Sequence, residues 1–216
     1  MFAFTDLAAA AYCPRKLYYR HKHDDAERSP EAARVRELAF RYPELLDETC
    51  PLPSEVAVTP TELRTNLACA SERLSAWDAL CDPPARDVLL EGREARGIAH
   101  KVLEEPLAPS LVFAGEPPAE GLWAPATVRL VAACKALSWE RERPVERGFA
   151  EFPAHGVVRE IRLTTRRKAR YRRTVRAVES MDGPPARVEN DDKCAPCEYR
   201  TECGTKSRSL RSLLGL

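Results

Sequence analysis

The sequence predicts a mixed α/β (α+β) fold that forms one domain of 216 residues. Amphipathic helical spacing recurs along the chain, one strand–turn–strand pattern occupies 148–163, and 44% of the residues are hydrophobic, which is enough to build a core. No apolar run approaches the roughly 18 residues of a membrane-spanning helix, and the first residues lack the basic start of a signal peptide. We therefore expect a soluble, cytoplasmic protein with no membrane partner.

Helices are expected through the first 80 residues. A helix beginning at Thr5 stops before Pro14, because the residue before a proline disfavours helical backbone, and a second short helix follows. Ser29-Pro30 caps a helix that runs to about residue 41. Residues 43–58 are predicted as a loop or short strand. Thr59-Pro60-Thr61-Glu62 is a capping box that opens a helix reaching residue 77.

The middle of the chain predicts a further helix from Arg86 to about Glu105. Gly92 and Gly97 weaken that helix and indicate a break or a close approach of another segment. Residues 105–126 are rich in proline, so we expect a loop there, with a short strand at 111–113.

The last third predicts a helix, a hairpin and a second helix. The helix begins at Thr127 and buries one apolar face. Residues 148–152 and 157–163 are expected to pair as a β-hairpin. A strongly basic helix then runs from about Thr165 to Met181, followed by a proline-rich linker.

The cysteines divide into two groups. Eight cysteines in a cytosolic chain indicate metal or redox chemistry in place of disulfides. Cys194, Cys197 and Cys203 have the spacing C-x2-C-x5-C, which lets three thiolates converge and leaves a fourth position to fill. Cys13 lies at a helix break where a turn can present its sulfur. We expect the others to be bystanders: Cys50, Cys69, Cys81 and Cys134.

The small net charge of +1 conceals a segregation of charge. Residues 1–23 carry a net +3, residues 159–216 a net +7, and residues 24–158 a net −9. This asymmetry indicates a surface for a polyanion, built from the two ends of the chain. The alternative is a solvated face that pairs with acids of the same chain or of a partner.

Most of the terminal positive charge belongs to the helix predicted from Thr165. Tyr171, Val175 and Val178 form its inward stripe, so the cations occupy the other faces. Arginine forks match phosphate oxygens, and such contacts tolerate any base sequence. The seven candidate nucleic-acid ligands are Arg166, Arg167, Lys168, Arg170, Arg172, Arg173 and Arg176.

The opening TDLAAAAYCPRKLYYR and the closing KCAPCEYRTEC resemble the CRISPR-associated RecB-like iron–sulfur exonucleases of the PD-(D/E)XK superfamily. The resemblance implies a PD-(D/E)XK, restriction-endonuclease-like core with a helical insertion at 24–85 and a cysteine-rich segment at 186–216. It implies DNA as partner, single-stranded or at strand ends, in CRISPR adaptation or DNA repair assemblies. It also implies a [4Fe–4S] cluster on four ligands, namely Cys13, Cys194, Cys197 and Cys203. A zinc site on the same four thiols is the alternative.

The resemblance also implies a catalytic centre that binds Mg²⁺ or Mn²⁺. In the family a His on a helix is followed by a strand with Asp, a strand with Glu-x-Lys and a helix with Gln-x3-Tyr. EGREARGIAH resembles the histidine helix, which makes His100 the candidate. After His100 there is no aspartate before Asp182 and no Glu-x-Lys before the cysteines, while Arg129 and Ala133 stand where Gln and Tyr are expected.

Three interpretations of this pattern remain. We favour a DNA-binding protein that keeps the nuclease fold and has lost catalysis. The second is an active exonuclease whose ligands have moved to other acids, with Lys101 or Lys135 as the cation. The third is a zinc-stapled interaction protein without nucleic acid. The candidate acids of the second interpretation are Glu116, Glu120, Glu140 and Glu151.

Overall fold

The chain folds around one mixed β-sheet, and the computed structural model describes residues 1–23 and 29–204. The strands are β1 Phe2–Ala3, β2 Ala85–Glu91, β3 Ala95–Glu104, β4 Leu107–Val112, β5 Arg147–Phe152 and β6 Val157–Arg162. The described helices are α1 Phe4–Tyr12, α2 Pro14–His23, α3 Pro30–Leu38, α4 Tyr42–Leu46, α5 Pro60–Arg73, α6 Trp77–Cys81, α7 Ala124–Glu140, α8 Thr165–Glu179 and α9 Asp191–Cys194.

The sheet has the order β1-β3-β4-β5-β6, and β2 also pairs with β3. Strands β2, β3 and β4 form an antiparallel meander, whereas β4 and β5 run parallel. Parallel neighbours need a crossover connection, which α7 provides between β4 and β5. Strands β5 and β6 close the sheet as an antiparallel hairpin.

Helices cover both faces of this sheet and bury two separate apolar clusters. On one face, α1, α7 and α8 contribute side chains such as Phe4, Leu130 and Tyr171 to the larger cluster. On the other face, helices α3 to α6 pack Leu63 and their other apolar side chains against Phe149 and its neighbours in the sheet. We refer to residues 29–84 as the α3–α6 layer. Among the described residues, no helix is long and apolar enough to cross a membrane.

Several predicted elements are confirmed. The mixed α/β class is correct, and α1, α2, α3, α5, α7 and α8 begin within a few residues of the predicted positions. The side chains of Ser29 and Thr59 cap α3 and α5 by accepting the N–H of Ala32 and of Glu62. The predicted hairpin is the β5–β6 pair.

The helix predicted over 86–105 is wrong, because this segment forms β2 and β3. The N–H of Gly92 donates to the carbonyl of Ala95 and closes the turn between the two strands. Both glycines allow close packing: a Cβ at Gly92 would lie 2.8 Å from Cα of Ala136, and one at Gly97 would lie 2.5 Å from the Phe4 ring. His100 therefore lies on a strand and not on a helix.

Three boundaries also differ from the sequence prediction. Strand β4 spans Leu107–Val112, so part of the expected loop 105–126 is paired with β3. Residues 43–46 belong to helix α4 where a loop or strand was expected. Helix α5 ends at Arg73, and Trp77 begins α6 instead of extending α5.

Candidate functional site

The four predicted ligand cysteines line one cavity. Cys13 follows α1, and its N–H donates to the carbonyl of Ala9, which leaves it at the break before α2. Cys194 ends α9, while Cys197 and Cys203 follow in turns whose N–H groups bond back to residues three or four positions earlier. Thiolates are suitable ligands for zinc and for iron–sulfur clusters, so the donor chemistry fits either group.

Polar contacts between α1–α2 and the cysteine segment hold this cavity together. The hydroxyl of Tyr12 donates to the carbonyl of Lys193 at 3.1 Å, and that of Tyr19 donates to the carbonyl of Glu202 at 3.2 Å. The Tyr19 ring stacks on Tyr199 with centroids 5.9 Å apart. The two regions of sequence that carry the cysteines therefore contact each other directly.

The thiols share one cavity, but in the described part of the chain they do not form a group of metal ligands. Burial raises the pKa of Tyr12, and the nearby thiol groups of Cys197, Cys13 and Cys194 add to this effect. Within residues 1–23 and 29–204, however, no three His, Cys, Asp or Glu side chains are close enough to hold one metal ion. The cysteine ligand set therefore stays a prediction, which the shared cavity supports.

The cations of residues 1–23 do not form an open basic surface, which changes the expectation from charge. Lys16 lies 3.1 Å from a carboxylate oxygen of Glu198, and His23 lies 2.8 Å from one of Glu202. Lys22 also approaches Glu202, at 3.5 Å. These side chains join α2 to the cysteine segment, so they are not free to bind a polyanion.

His100 lies where β3 and β4 stop pairing. The ladder between these strands begins at Lys101 opposite Ser110, and the N–H of Val112 donates to Nδ1 of His100 at 2.7 Å instead of to the backbone. Because Nδ1 accepts a hydrogen bond, the proton of the neutral ring is on Nε2.

The His100 ring is 8% exposed and is neutral near pH 7. The pKa of His100 is lowered to about 3. Burial is the main cause, and the positive charges of Arg129, Arg36 and Lys101 contribute the rest. The unfolded chain would take up this proton near pH 6.5, so the free energy of unfolding falls as the pH drops from there toward 3.

The charged groups that act on His100 are cations, namely Arg129, Arg36 and Lys101. Arg129, on α7, places its guanidinium over the ring of Phe113, 5.6 Å from the centroid. Arg36, on α3, lies 3.4 Å from Asp87. This environment is unfavourable for Mg²⁺ or Mn²⁺, which require carboxylate and water ligands.

Neither of the other catalytic candidates joins His100 in a metal site. Glu116 is exposed, and its backbone carbonyl accepts the indole N–H of Trp123. Glu120 is also exposed and lies close enough to Arg159 to affect the pKa of that guanidinium. Because no group of three potential ligands forms in the described part of the chain, the predicted set His100, Glu116 and Glu120 does not assemble.

The acids and lysines proposed as relocated ligands are used in other contacts. A carboxylate oxygen of Glu140 accepts the N–H of Glu91, which ties the end of α7 to β2. Lys135 lies 3.9 Å from Glu94. These contacts give both residues of α7 structural roles.

Lys101 and Glu151 form a fully buried ion pair with both side chains 0% exposed. The Nζ of Lys101 donates to a carboxylate oxygen of Glu151 at 2.7 Å and to the carbonyls of Ala39 at 2.6 Å and Leu80 at 2.7 Å. All three ammonium protons are thus satisfied.

Glu151 is equally well supplied with hydrogen bonds. It accepts the hydroxyl of Tyr42 at 2.7 Å and that of Ser110 on β4. Burial and the charge of Glu151 hold the pKa of Tyr42 well above its usual value, so Tyr42 stays a donor. Solvent has no access to this carboxylate, which makes it a structural group and not a displaced metal ligand.

Helix α8 carries its cations toward solvent. Tyr171, Val175 and Val178 are buried as predicted, together with Thr174. The seven predicted cations occupy the remaining faces, and none of them lies within ion-pair distance of an acidic residue of the described ranges. The alternative that this helix pairs with acids of its own chain finds no support in the described structure. The further basic residues at 206–211 lie outside the described residues.

No model of a protein family matches the sequence, and no curated protein matches it.

Sequence reasoning missed two features of the site region: the buried pair of Lys101 and Glu151, and the environment of Arg129. Lys101 interrupts the apolar run 98–103, and Glu151 lies between Phe149 and Phe152. A single charge inside an apolar strand is the signal that could have indicated the buried pair, because such a charge requires a partner. The missed environment of Arg129 has no comparable signal in the sequence.

Removing one member of the buried pair should destabilise the fold strongly. Lys101→Met leaves the Glu151 carboxylate buried without its cation, and we expect a loss of about 3–5 kcal/mol in the free energy of unfolding. The double variant Lys101→Met/Glu151→Leu should recover much of this loss because no charge is left buried. Urea unfolding followed by circular dichroism measures both.

The exposed pair of Arg141 and Glu104, with its N–O distance of 3.0 Å, is the matched control. Arg141→Met should cost less than about 1 kcal/mol, because solvent screens exposed pairs. If Lys101→Met and Arg141→Met lower the free energy of unfolding equally, the role of the buried pair is contradicted.

Proposed function

We propose that this chain is an iron–sulfur protein of nuclease fold that binds DNA through α8 and has lost the metal centre for cleavage. The observation that carries the proposal is the row of α8 cations, which have no acidic partners among the described residues. A helix with seven cations and an apolar buried face retains that charge for an external polyanion.

The order of elements supports a PD-(D/E)XK core. The family places a strand with Asp and a strand with Glu-x-Lys before the Gln-x3-Tyr helix. Here the adjacent antiparallel strands β3 and β4 precede α7. In this correspondence His100 lies on the strand that would carry Asp, and Arg129 lies on the helix at the position of Gln.

The same correspondence supports the loss of catalysis. Hydrolysis by these enzymes depends on carboxylates that hold Mg²⁺ or Mn²⁺ beside the scissile phosphate. The β3–β4 end instead carries a neutral imidazole and a nearby arginine. A bound divalent cation would be repelled by Arg129 and would lack oxygen ligands.

The cysteine cavity supports a cofactor that joins distant parts of the chain. Cys13 and Cys194 are 181 positions apart, and the four thiols line one cavity. A [4Fe–4S] cluster on these ligands would supply a cross-link, and chain entropy gives a cross-link of a loop this long about 5 kcal/mol. A zinc ion on the same thiols would serve the same role without iron.

DNA binding through α8 would be general and sensitive to salt. Arginine guanidinium groups bond phosphate oxygens without reading the bases, and each contact displaces condensed counterions. Single strands or strand ends are the expected form of DNA, in an assembly for CRISPR adaptation or DNA repair. The protein would position DNA for partners and would not cut it.

Loss of one cysteine ligand should lower the stability of the whole domain. Anaerobically purified protein is expected to be brown and to contain iron and sulfide in equal amounts. Cys197→Ala should reduce the iron content and lower the melting temperature, because the cross-link between the two sequence regions is weakened. Cys69→Ala, which changes an exposed cysteine on α5, is the control. A colourless zinc protein would favour the alternative, and unchanged stability of Cys197→Ala would refute the cross-link.

Neutralising α8 should weaken DNA binding and its dependence on salt. We expect Arg166→Gln/Arg172→Gln/Arg173→Gln to reduce the slope of log affinity against log salt by about 2, because about 0.7 counterions leave a single strand per phosphate contact. Fluorescence anisotropy with a mixed-sequence single-stranded oligonucleotide, repeated at several salt concentrations, measures this slope.

A matched triple variant removes exposed arginines outside α8, namely Arg93→Gln/Arg96→Gln/Arg143→Gln. It has the same change in net charge and should keep the wild-type slope. If both triple variants lose affinity equally, net charge and not α8 governs binding.

Single-stranded DNA should remain intact with this protein in Mg²⁺ or Mn²⁺. The expected result is full-length substrate after prolonged incubation with a molar excess of protein, as judged on denaturing gels. Wild-type cleavage that disappears in His100→Ala would instead establish an active nuclease with relocated ligands. Cleavage that persists in His100→Ala points to a contaminating enzyme.

A further inference from the structure

Arg129 differs from the other arginines that have a buried nitrogen without a partner. The Nε atoms of Arg15, Arg36, Arg64 and Arg129 are all buried and unbonded. The first three use a terminal nitrogen elsewhere: Arg15 bonds the carbonyl of Pro185, Arg36 approaches Asp87, and Arg64 bonds two carbonyls. Within residues 1–23 and 29–204, no side-chain nitrogen of Arg129 has a hydrogen bond or an ion pair.

The Arg129 side chain is partly buried, and its buried Nε has no anion or acceptor beside it, which is unfavourable. Removing a charge from water is compensated only when an opposite charge or several acceptors surround it. The Phe113 ring under Arg129 provides a cation–π contact at 5.6 Å, which offsets only part of that cost. Burial also lowers the pKa of Arg129, and no acidic group counteracts this effect. The arrangement lacks an anion.

His100 adds a second donor in the same region. Its Nδ1 is occupied by the N–H of Val112, the residue that precedes Phe113, so Nε2 carries the ring proton. Arg129 is close enough to His100 to affect the pKa of the imidazole. A guanidinium fork and a neutral imidazole N–H are both donors, and the surrounding residues provide no competing carboxylate for Arg129.

We propose that Arg129 and His100 form an anion site that binds a phosphate group. The fork of arginine matches two phosphate oxygens at once, which a chloride or a single carbonyl cannot reproduce. Resting on the proposed DNA binding by α8, the bound group is the terminal phosphate of a DNA strand. A terminal phosphate presents free oxygens that reach a recessed fork, whereas a phosphate inside the strand carries a nucleoside on both sides.

The first test uses inorganic phosphate alone. Phosphate should raise the melting temperature of the wild-type protein relative to sodium chloride of equal ionic strength, because a ligand that binds the folded state stabilises it. Arg129→Met should abolish that rise while melting no lower than wild type without phosphate, since it removes an uncompensated charge. Arg93→Met, at an exposed position, should retain the rise. An equal rise in Arg129→Met overturns the site.

The second test separates strand ends from free phosphate. Oligonucleotides with a 5′-phosphate, a 3′-phosphate or hydroxyl ends are compared by anisotropy. We expect one phosphorylated end to bind about tenfold more tightly than hydroxyl ends, which equals about 1.4 kcal/mol. Arg129→Met should lose this preference and keep its affinity for hydroxyl ends, while the α8 triple variant should lose affinity for all three and keep the preference.

The outcomes distinguish this inference from the proposed function. Tight binding of all oligonucleotides without an end preference leaves DNA binding intact and overturns the strand-end assignment. Stabilisation by inorganic phosphate without binding of any oligonucleotide keeps the anion site and overturns DNA binding, in which case the ligand is free phosphate. No response of the wild-type protein to phosphate overturns the anion site.

Discussion

The buried ion pair between Lys101 and Glu151 is the interaction on which the arrangement of the two layers depends. It joins β3 to β5, takes in Ser110 of the intervening β4, and reaches the α3–α6 layer through Tyr42 and two backbone carbonyls. Since every proton and acceptor of the pair has a partner at this one alignment, a shifted register or a displaced layer would leave a charge unsatisfied. The pair therefore favours a single arrangement, and it withdraws its carboxylate from any chemistry in solution.

Charge has three separate uses in this chain. Inside the core, one lysine and one glutamate bind each other. At the cysteine cavity, acids near 198–202 bind cations of α2, which makes that contact electrostatic as well as aromatic. Only α8 holds a long row of cations without acidic partners among the described residues. The formal net charge of +1 thus describes no surface of the molecule.

The sequence predicted those elements whose formation depends on interactions between neighbouring residues. Caps at Ser29 and Thr59, the β5–β6 hairpin and the amphipathic α8 were all visible from neighbouring residues. The strands β2 and β3 were not, because alanine, leucine, glutamate and arginine favour helices, and pairing within the β2–β3–β4 meander overrides that preference. The His100–Val112 contact depends on how β3 and β4 end their pairing, and the buried pair joins β3 to β5, so spacing could not reveal them. The cysteine spacing did indicate a shared cavity, and it left the ligand geometry open.

The contact between α2 and the cysteine segment also affects the order in which the protein can fold during translation. Tyr19 and Glu202, which bond in the finished structure, are 183 positions apart. The ribosome releases α2 before the cysteine segment, and this helix must wait until residues 199–202 are synthesised before its aromatic face packs on Tyr199. Contacts of such large sequence separation form slowly and leave apolar surface accessible meanwhile. The packing of α2 on the cysteine segment is consequently a late step in folding.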